Sequence, residues 1–304
     1  MGIIRGGNAE YENTLPSLEG KALQVEETIR QALDNTTLNL SGKYFSTDET
    51  TILSRYEQIE SVKSLNLSDN RIGNLELKIL CGSPFLKNLE ELHLGLNFIT
   101  DEGVTELARS EGLKNLRVLS LNDNRLTDVS IAEIVKLPGF GNIEILNLGW
   151  NQIGNGTARA LGETRTLVKL KCLDLERNYI DNEGIIELLK ANSLNSLEEL
   201  NLSSNKLGDA GAKALASAEN FPSLRVLRLS DNNFGDVGAK ALAEFAGFAC
   251  LTELHLGRNY FTQDGANSLL KKFANINTLV LTEGTENIPG RVNFSNPDLI
   301  RPRQ

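Results

Sequence analysis

The chain has 304 residues, 40% of them hydrophobic and 23% charged, with a formal charge of −9. That acidic balance lacks the clustered Lys and Arg that nucleic acid or an anionic membrane surface demands, so no nucleic acid and no membrane partner are expected. Three cysteines, Cys81, Cys172 and Cys250, are too few and too far apart for a disulfide framework or a metal knuckle, which fits a reducing compartment.

In chain order, the opening MGIIRGGNAEYE has no apolar core of a secretory signal, and no later apolar run approaches the ~20 residues that span a bilayer. A cytoplasmic protein is expected. Residues 17–34 carry Leu18, Ala22, Val25, Ile29 and Leu33 at helical spacing and predict a capping helix within an N-terminal segment, residues 1–34. Residue 35 then opens a repeat of 27 residues: NTTLNLSGKYF at Asn35, VKSLNLSDNRI at Val62, LEELHLGLNFI at Leu89, LRVLSLNDNRL at Leu116 and IEILNLGWNQI at Ile143. The register continues with LKCLDLERNYI at Leu170, LEELNLSSNKL at Leu197, LRVLRLSDNNF at Leu224 and LTELHLGRNYF at Leu251. A degraded copy, INTLVL, begins at Ile276, two residues early. Residues 35–281 are therefore read as one solenoid of nine clear units and a tenth, followed by a proline-containing cap and tail over residues 282–304.

Within a unit, apolar residues two apart predict a short strand, as at Leu92 and Leu94. Asp101 then predicts a helix start, its carboxylate capping the first turn of its own helix. One position in the helical half is aliphatic in every unit: Leu53, Leu80, Leu107, Ile134, Leu161, Leu188, Leu215, Leu242 and Leu269. The asparagine column Asn70, Asn97, Asn124, Asn151, Asn178, Asn205, Asn232 and Asn259 is read as scaffold, each amide satisfying backbone groups where the chain leaves the strand.

The pattern LxxLxLxxNxL resembles the leucine-rich-repeat family. The phrases ITDEGVTELA, LGDAGAKALA and FGDVGAKALA resemble its ribonuclease-inhibitor-like subclass. That resemblance implies an α/β fold: a right-handed solenoid, or horseshoe, with a parallel sheet on the concave face and helices on the convex face. It implies a non-enzymatic scaffold for a protein partner, with a monomer expected. The uniform unit is similar to leucine-rich-repeat effectors of intracellular bacterial pathogens, which would place the chain in a host cell, exported without a cleaved signal. An intracellular eukaryotic adaptor or sensor is a second setting. GTPase-activating proteins of the Ran type are the enzyme-class relative, but their long acidic C-terminal stretch has no counterpart here and no catalytic residue maps onto this chain.

Strand alternation exposes the residue between the repeat leucines and the one two positions earlier. The first column includes His93, Asp174, Arg228 and His255, and the second includes Ile145 and Cys172. Nine units at ~4.8 Å per strand give an inner edge of roughly 40 Å, a long shallow surface suited to a protein rather than to a small molecule. Trp150 is the only tryptophan and stands in a variable position just after a strand, as does Leu96. With Asp174, Glu176, Arg177 and Tyr179 it forms the predicted mid-arc partner-binding patch, to which His93, Leu96, Arg228 and His255 are assigned on the same face. Phe98, Tyr179 and Tyr260 predict an aromatic rim. The two histidines lie six units apart, too far to share a metal. No GxxxxGK[ST], GxSxG, HExxH or paired CxxC occurs, so no catalytic residue, metal site or cofactor is assigned.

Overall fold

The computed structural model describes residues 18–135, 140–218, 220–244 and 249–282. The first helix, α1 (Leu18–Ala32), leads into β1 (Leu33–Asp34), and strands then alternate with helices. The strands are β2 (Thr37–Asn39), β3 (Ser64–Asn66), β4 (Glu91–His93), β5 (Val118–Ser120), β6 (Ile145–Asn147), β7 (Cys172–Asp174), β8 (Glu199–Asn201), β9 (Val226–Arg228), β10 (Glu253–His255) and β11 (Thr278–Val280). The intervening helices are α2 (Thr47–Arg55), α3 (Asn74–Cys81), α4 (Asp101–Arg109), α5 (Asp128–Ile134), α6 (Asn155–Glu163), α7 (Asn182–Leu188), α8 (Gly208–Ala216), α9 (Asp236–Glu244) and α10 (Gln263–Lys272). All strands form one 11-stranded sheet in chain order. From β2 to β10 successive strands pair in parallel at an offset of 27 residues, as in Leu92↔Leu119 and Leu119↔Leu146. The last step is shorter, Leu254↔Leu279, which matches the early start of the degraded copy.

Each three-residue strand puts its middle leucine into the core and turns its two flanking residues to the other sheet face, where Asn201 and Val226 are themselves buried. The helical aliphatic column from Leu53 to Leu269 is buried to 2% exposure or less and meets those leucines from the other side. Each helix packs on the next, so the apolar edge of one repeat is covered by its neighbour.

The asparagine column ties the repeats together. Asn151 Nδ2 donates to Leu148 O and Gly149 O in its own repeat and to Leu121 O in the one before. Its Oδ1 accepts from Leu126 N–H, also in the preceding repeat, at 3.0 Å. Asn97, Asn124, Asn178 and Asn205 repeat this pattern. Just before each asparagine the backbone turns through the left-handed region: Asp69, Leu96, Asp123, Trp150, Arg177, Ser204, Asp231 and Arg258 have φ between 50° and 58°. None is glycine, and the strain is balanced by regular bonding, for example Trp150 N–H to Glu176 O at 2.7 Å.

The helix starts differ from the sequence expectation. Asp101 does not cap its own helix; Thr100 occupies that position and its side chain makes no capping bond. The Asp101 carboxylate reaches instead into the next repeat, accepting from Thr127 N–H at 2.9 Å, Thr127 Oγ1 at 2.5 Å and Ser130 Oγ at 2.6 Å. Asp128, Asp209 and Asp236 likewise cap the following helix, Asp209 through Gly235 N–H at 2.7 Å and Gly238 N–H at 2.9 Å. The reason is geometric. These carboxylates, on the first or second residue of their own helices, lie beside the open N-terminus of the next helix, where unpaired amides and the positive end of the dipole both favour a carboxylate. Gly156, Gly238 and Gly265 are among the capped donors, and a Cβ on Gly238 would stand 2.7 Å from Asp209 Oδ1. The Asp of LGDAGAKALA thus meets the two glycines of FGDVGAKALA across the repeat boundary, Asp209 accepting from Gly235 and Gly238. Partial burial works against the charged form of Asp101 and Asp236, but these hydrogen bonds outweigh it and hold both carboxyls below the usual range.

A second ladder runs along the edge where the chain enters the strands. Lys63, Glu90, Arg117, Glu144 and Lys171 alternate in charge and pair in series, at 2.8 Å, 3.9 Å, 2.6 Å and 2.8 Å. Glu198 and Arg225 continue it at 4.0 Å. A slip by one repeat would set like charges side by side along this edge.

At the N-terminal end, Val25 and Ile29 of α1 are buried against the first repeat, as a capping helix requires. The helix stops at Ala32, and Leu33 lies in β1, which folds back antiparallel on β2 instead of extending the helical face. The expected C-terminal tail lies outside the described residues beyond 282.

Two stability measurements check this scaffold. Asn151→Ala strands four buried backbone groups and is expected to lower unfolding stability by roughly 3 kcal/mol or more in urea denaturation. For the caps, Asp209→Ala and Gly238→Ala each destabilise alone, although Ala is the better helix former by about 1 kcal/mol. In a double-mutant cycle the Gly238→Ala cost shrinks once Asp209 is removed, and strictly additive costs would contradict the shared contact.

Candidate functional site

The sheet face carries two columns in strict register. In one, Asn39, Asn66, His93, Ser120, Asn147, Asp174, Asn201, Arg228 and His255 are successive neighbours. Most of its amides are engaged locally: Asn66, Asn147 and Asn201 each accept from the backbone N–H two residues on, at 2.9 to 3.1 Å. Asp174 makes the same bond to Glu176 N–H at 2.8 Å, but with a carboxylate in place of an amide. Burial lifts the Asp174 carboxyl above its usual range and the nearby Glu176 adds to that, while the bonds from Glu176 N–H and from Asn201 oppose it. Asn201 Nδ2 bridges Asp174 Oδ2 at 3.2 Å and Glu176 Oε2 at 3.1 Å, joining two repeats.

Trp150 is half-exposed at 44%, in the left-handed turn after β6. The guanidinium of Arg177, the equivalent residue of the next repeat, lies 3.9 Å from the centre of its ring. Close stacking of a cation on an indole face is attractive and orders both long side chains. Ile145 and Cys172, at the starts of β6 and β7, are direct strand neighbours. Tyr179, exposed on the same rim, lies under Lys206 at 4.9 Å.

Of the predicted site residues, Trp150, Asp174, Glu176, Arg177 and Tyr179 fall in two adjacent repeats. The others spread along the face. His93 and Leu96 lie two repeats before Trp150; His93 meets Ser120 Oγ at 3.2 Å and Glu91 at 3.8 Å. Arg228, two strands beyond Asp174, pairs with Glu199 at 3.4 Å, and His255 neighbours Arg228 in the register and lies 3.7 Å from Glu253.

Reactive chemistry is not built into these positions. Burial pushes the Cys81 thiol up to about 12, and burial with Glu199 also raises Cys172, so neither is poised as a thiolate. Among the described residues no three His, Cys, Asp or Glu side chains are grouped to hold a metal ion.

The aromatic rim is more ordered than the sequence reading of Phe98, Tyr179 and Tyr260 anticipated. Arg71 lies over Tyr44 at 5.8 Å and Arg125 over Phe98 at 5.2 Å, so a cation from one repeat covers the ring of the repeat before it. The signal lay in the position after the asparagine, which runs Tyr44, Arg71, Phe98, Arg125, Gln152, Tyr179, Lys206, Asn233, Tyr260. Tyr260 is exposed at its far end.

Comparison with known proteins fits this architecture. The family described as Leucine Rich repeat matches residues 58–75, 85–108, 142–162, 166–189, 193–216 and 222–243, and a second leucine-rich-repeat description matches residues 115–137. Together they cover half of the chain. The chain belongs to the leucine-rich-repeat family. No curated protein matches it. Leucine-rich-repeat domains generally mediate protein–protein interaction and are typically binding scaffolds rather than enzymes. Among the described residues no helix is long and apolar enough to cross a membrane.

Asp174 is the one acid in its column of these leucine-rich repeats, at a place where four neighbours use asparagine to make the same turn bond. Because its folded-state pKa is raised, ionisation costs stability, and that cost is present above the folded pKa and absent once the group is protonated in both states. Asp174→Asn is therefore expected to raise the Tm at pH 7 by about 1–3 °C. The gain should fade as pH falls through the raised folded-state value and be gone below the ordinary aspartate value of 3.8. Scanning calorimetry at both pH values checks this; a loss of stability at neutral pH would contradict it.

Proposed function

We propose that this chain is a non-enzymatic scaffold that binds a protein partner on its sheet face and adjoining rim, on a patch centred on Trp150. The observation that carries the reading is the Trp150–Arg177 pair, a large exposed ring held by a fixed backbone turn and covered by a stacked guanidinium. Tryptophan and arginine dominate binding energy at protein interfaces because each buries a large area while keeping a polar handle. A pair already ordered before binding loses little further side-chain freedom on complex formation.

Asp174, Glu176 and Tyr179 surround this centre with acidic and aromatic groups in the same two repeats. His93, Leu96, Arg228 and His255 extend the surface to either side, along an edge of several tens of ångströms at ~4.8 Å per strand. Such a surface has room for the 20–30 residues that a partner of ordinary interface size presents. The uniform 27-residue unit, similar to that of pathogen effectors, favours a role inside a host cell, with a ribonuclease-inhibitor-like repeat and a cytoplasmic site of action.

Trp150→Ala is expected to weaken partner binding by roughly 2 kcal/mol or more while leaving the fold intact. The check is affinity capture from host-cell lysate with wild type and variant side by side, followed by titration of the recovered partner. Equal affinity for both proteins would remove the patch from the interface.

A further inference from the structure

The rim after the strands and the edge before them treat their cations differently. On the entering edge, Lys63, Arg117, Lys171 and Arg225 are all paired with glutamates. On the opposite rim, Arg71, Arg125, Arg177 and Lys206 each lie over an aromatic ring of the preceding repeat, Tyr44, Phe98, Trp150 and Tyr179 in turn. Among the described residues none of these four comes within 4 Å of a carboxylate, although Asp181 feels Lys206 at longer range. A chain of charge −9 has acids to spare, yet along this rim the cations are held by rings instead. A ring orders a cation without neutralising it, so the charge stays available to a ligand.

We infer that this rim is a docking track for an extended, acidic segment of the partner protein, whose carboxylates pair with Arg71, Arg125, Arg177 and Lys206 while its backbone and apolar groups lie against the rings between them. This inference rests on the protein-binding function and names the chemistry of the partner. Counted by repeat, rings and cations alternate from Tyr44 to Arg177, the Trp150–Arg177 pair standing just before its asparagines and the others just after, so cations recur every second repeat, roughly 10 Å apart along the array. An extended polyproline-type chain rises ~3.1 Å per residue, so an acid at every third position meets successive cations. Asp69 and Asp123, at left-handed turns, precede Arg71 and Arg125 by two residues in the same repeats, and Asp231 lies one repeat beyond Lys206. Those carboxylates repel a uniformly charged phosphate backbone more than a peptide whose acids come only at every third residue.

The test uses the full chain and a fluorescein-labelled peptide of about 12 residues built from repeats of Glu-Pro-Pro, long enough to run from Arg71 to Lys206 at ~3.1 Å per residue. Fluorescence anisotropy is expected to show saturable binding to wild type. Binding should fall about tenfold or more in the triple variant Arg71→Gln, Arg125→Gln and Lys206→Gln. A control variant, Lys213→Gln with Lys271→Gln, should bind as wild type does. Circular dichroism and Tm establish that both variants fold. No saturable binding by wild type, undiminished binding by the triple variant, or tighter binding of a single-stranded oligonucleotide than of the peptide would each overturn the track. The two readings fail separately. Loss of partner capture in Trp150→Ala without any peptide binding leaves the scaffold function and removes the track. Peptide binding without Trp150-dependent capture does the reverse.

Discussion

The side-chain amide of each buried asparagine donates to a carbonyl of the repeat before it and accepts an N–H from that same repeat. A strand of three residues cannot satisfy the backbone of the loop that follows it, and that loop is buried between neighbours. The amide supplies donors and an acceptor in one rigid group at the one place where both are missing. Everything outward of this bond depends on it. The left-handed residue beside each asparagine keeps its conformation because the loop cannot relax, and the exposed side chains that follow inherit their positions.

A second constraint acts on the helical side. Asp101, Asp128, Asn155, Asp209 and Asp236 each accept a backbone N–H at the start of the helix in the next repeat. Register is therefore specified twice over, by amides next to the sheet and by carboxylates at the helix starts. The alternating charges from Lys63 to Lys171 add a third, exposed device. Stability in such an array comes from nearest-neighbour terms, so a defect in one repeat weakens its two interfaces and spares the rest.

Much of this was legible in the sequence. The 27-residue period exposed the strands, the helical core column and the asparagines, because each answers to a local need that recurs at fixed spacing. The early start of the last unit reappeared as the shortened step Leu254↔Leu279. The caps were read wrongly, since Asp101 looks like an N-cap within one helix and its true partners, Thr127 and Ser130, are neighbours only after stacking. The same limit hid the pairing of Arg71 with Tyr44 and of Arg177 with Trp150, which lie 27 residues apart in the chain and side by side on the rim. The register alone set Trp150, Asp174, Glu176, Arg177 and Tyr179 in adjacent repeats and spread His93, Arg228 and His255 along the same face.

The rim and the sheet face differ in what they leave free. On the sheet face most polar side chains are occupied by their own turns or by the neighbouring strand, Asp174 among them. On the rim, rings and cations are ordered but not neutralised. That division puts recognition at the rim near Trp150. Trp150 is the only tryptophan, so its fluorescence reports on that place alone. Titrating the chain with its captured partner should shift the emission to shorter wavelength and reduce quenching by iodide as the ring is covered. Saturable binding with emission and quenching unchanged would show that the partner sits elsewhere.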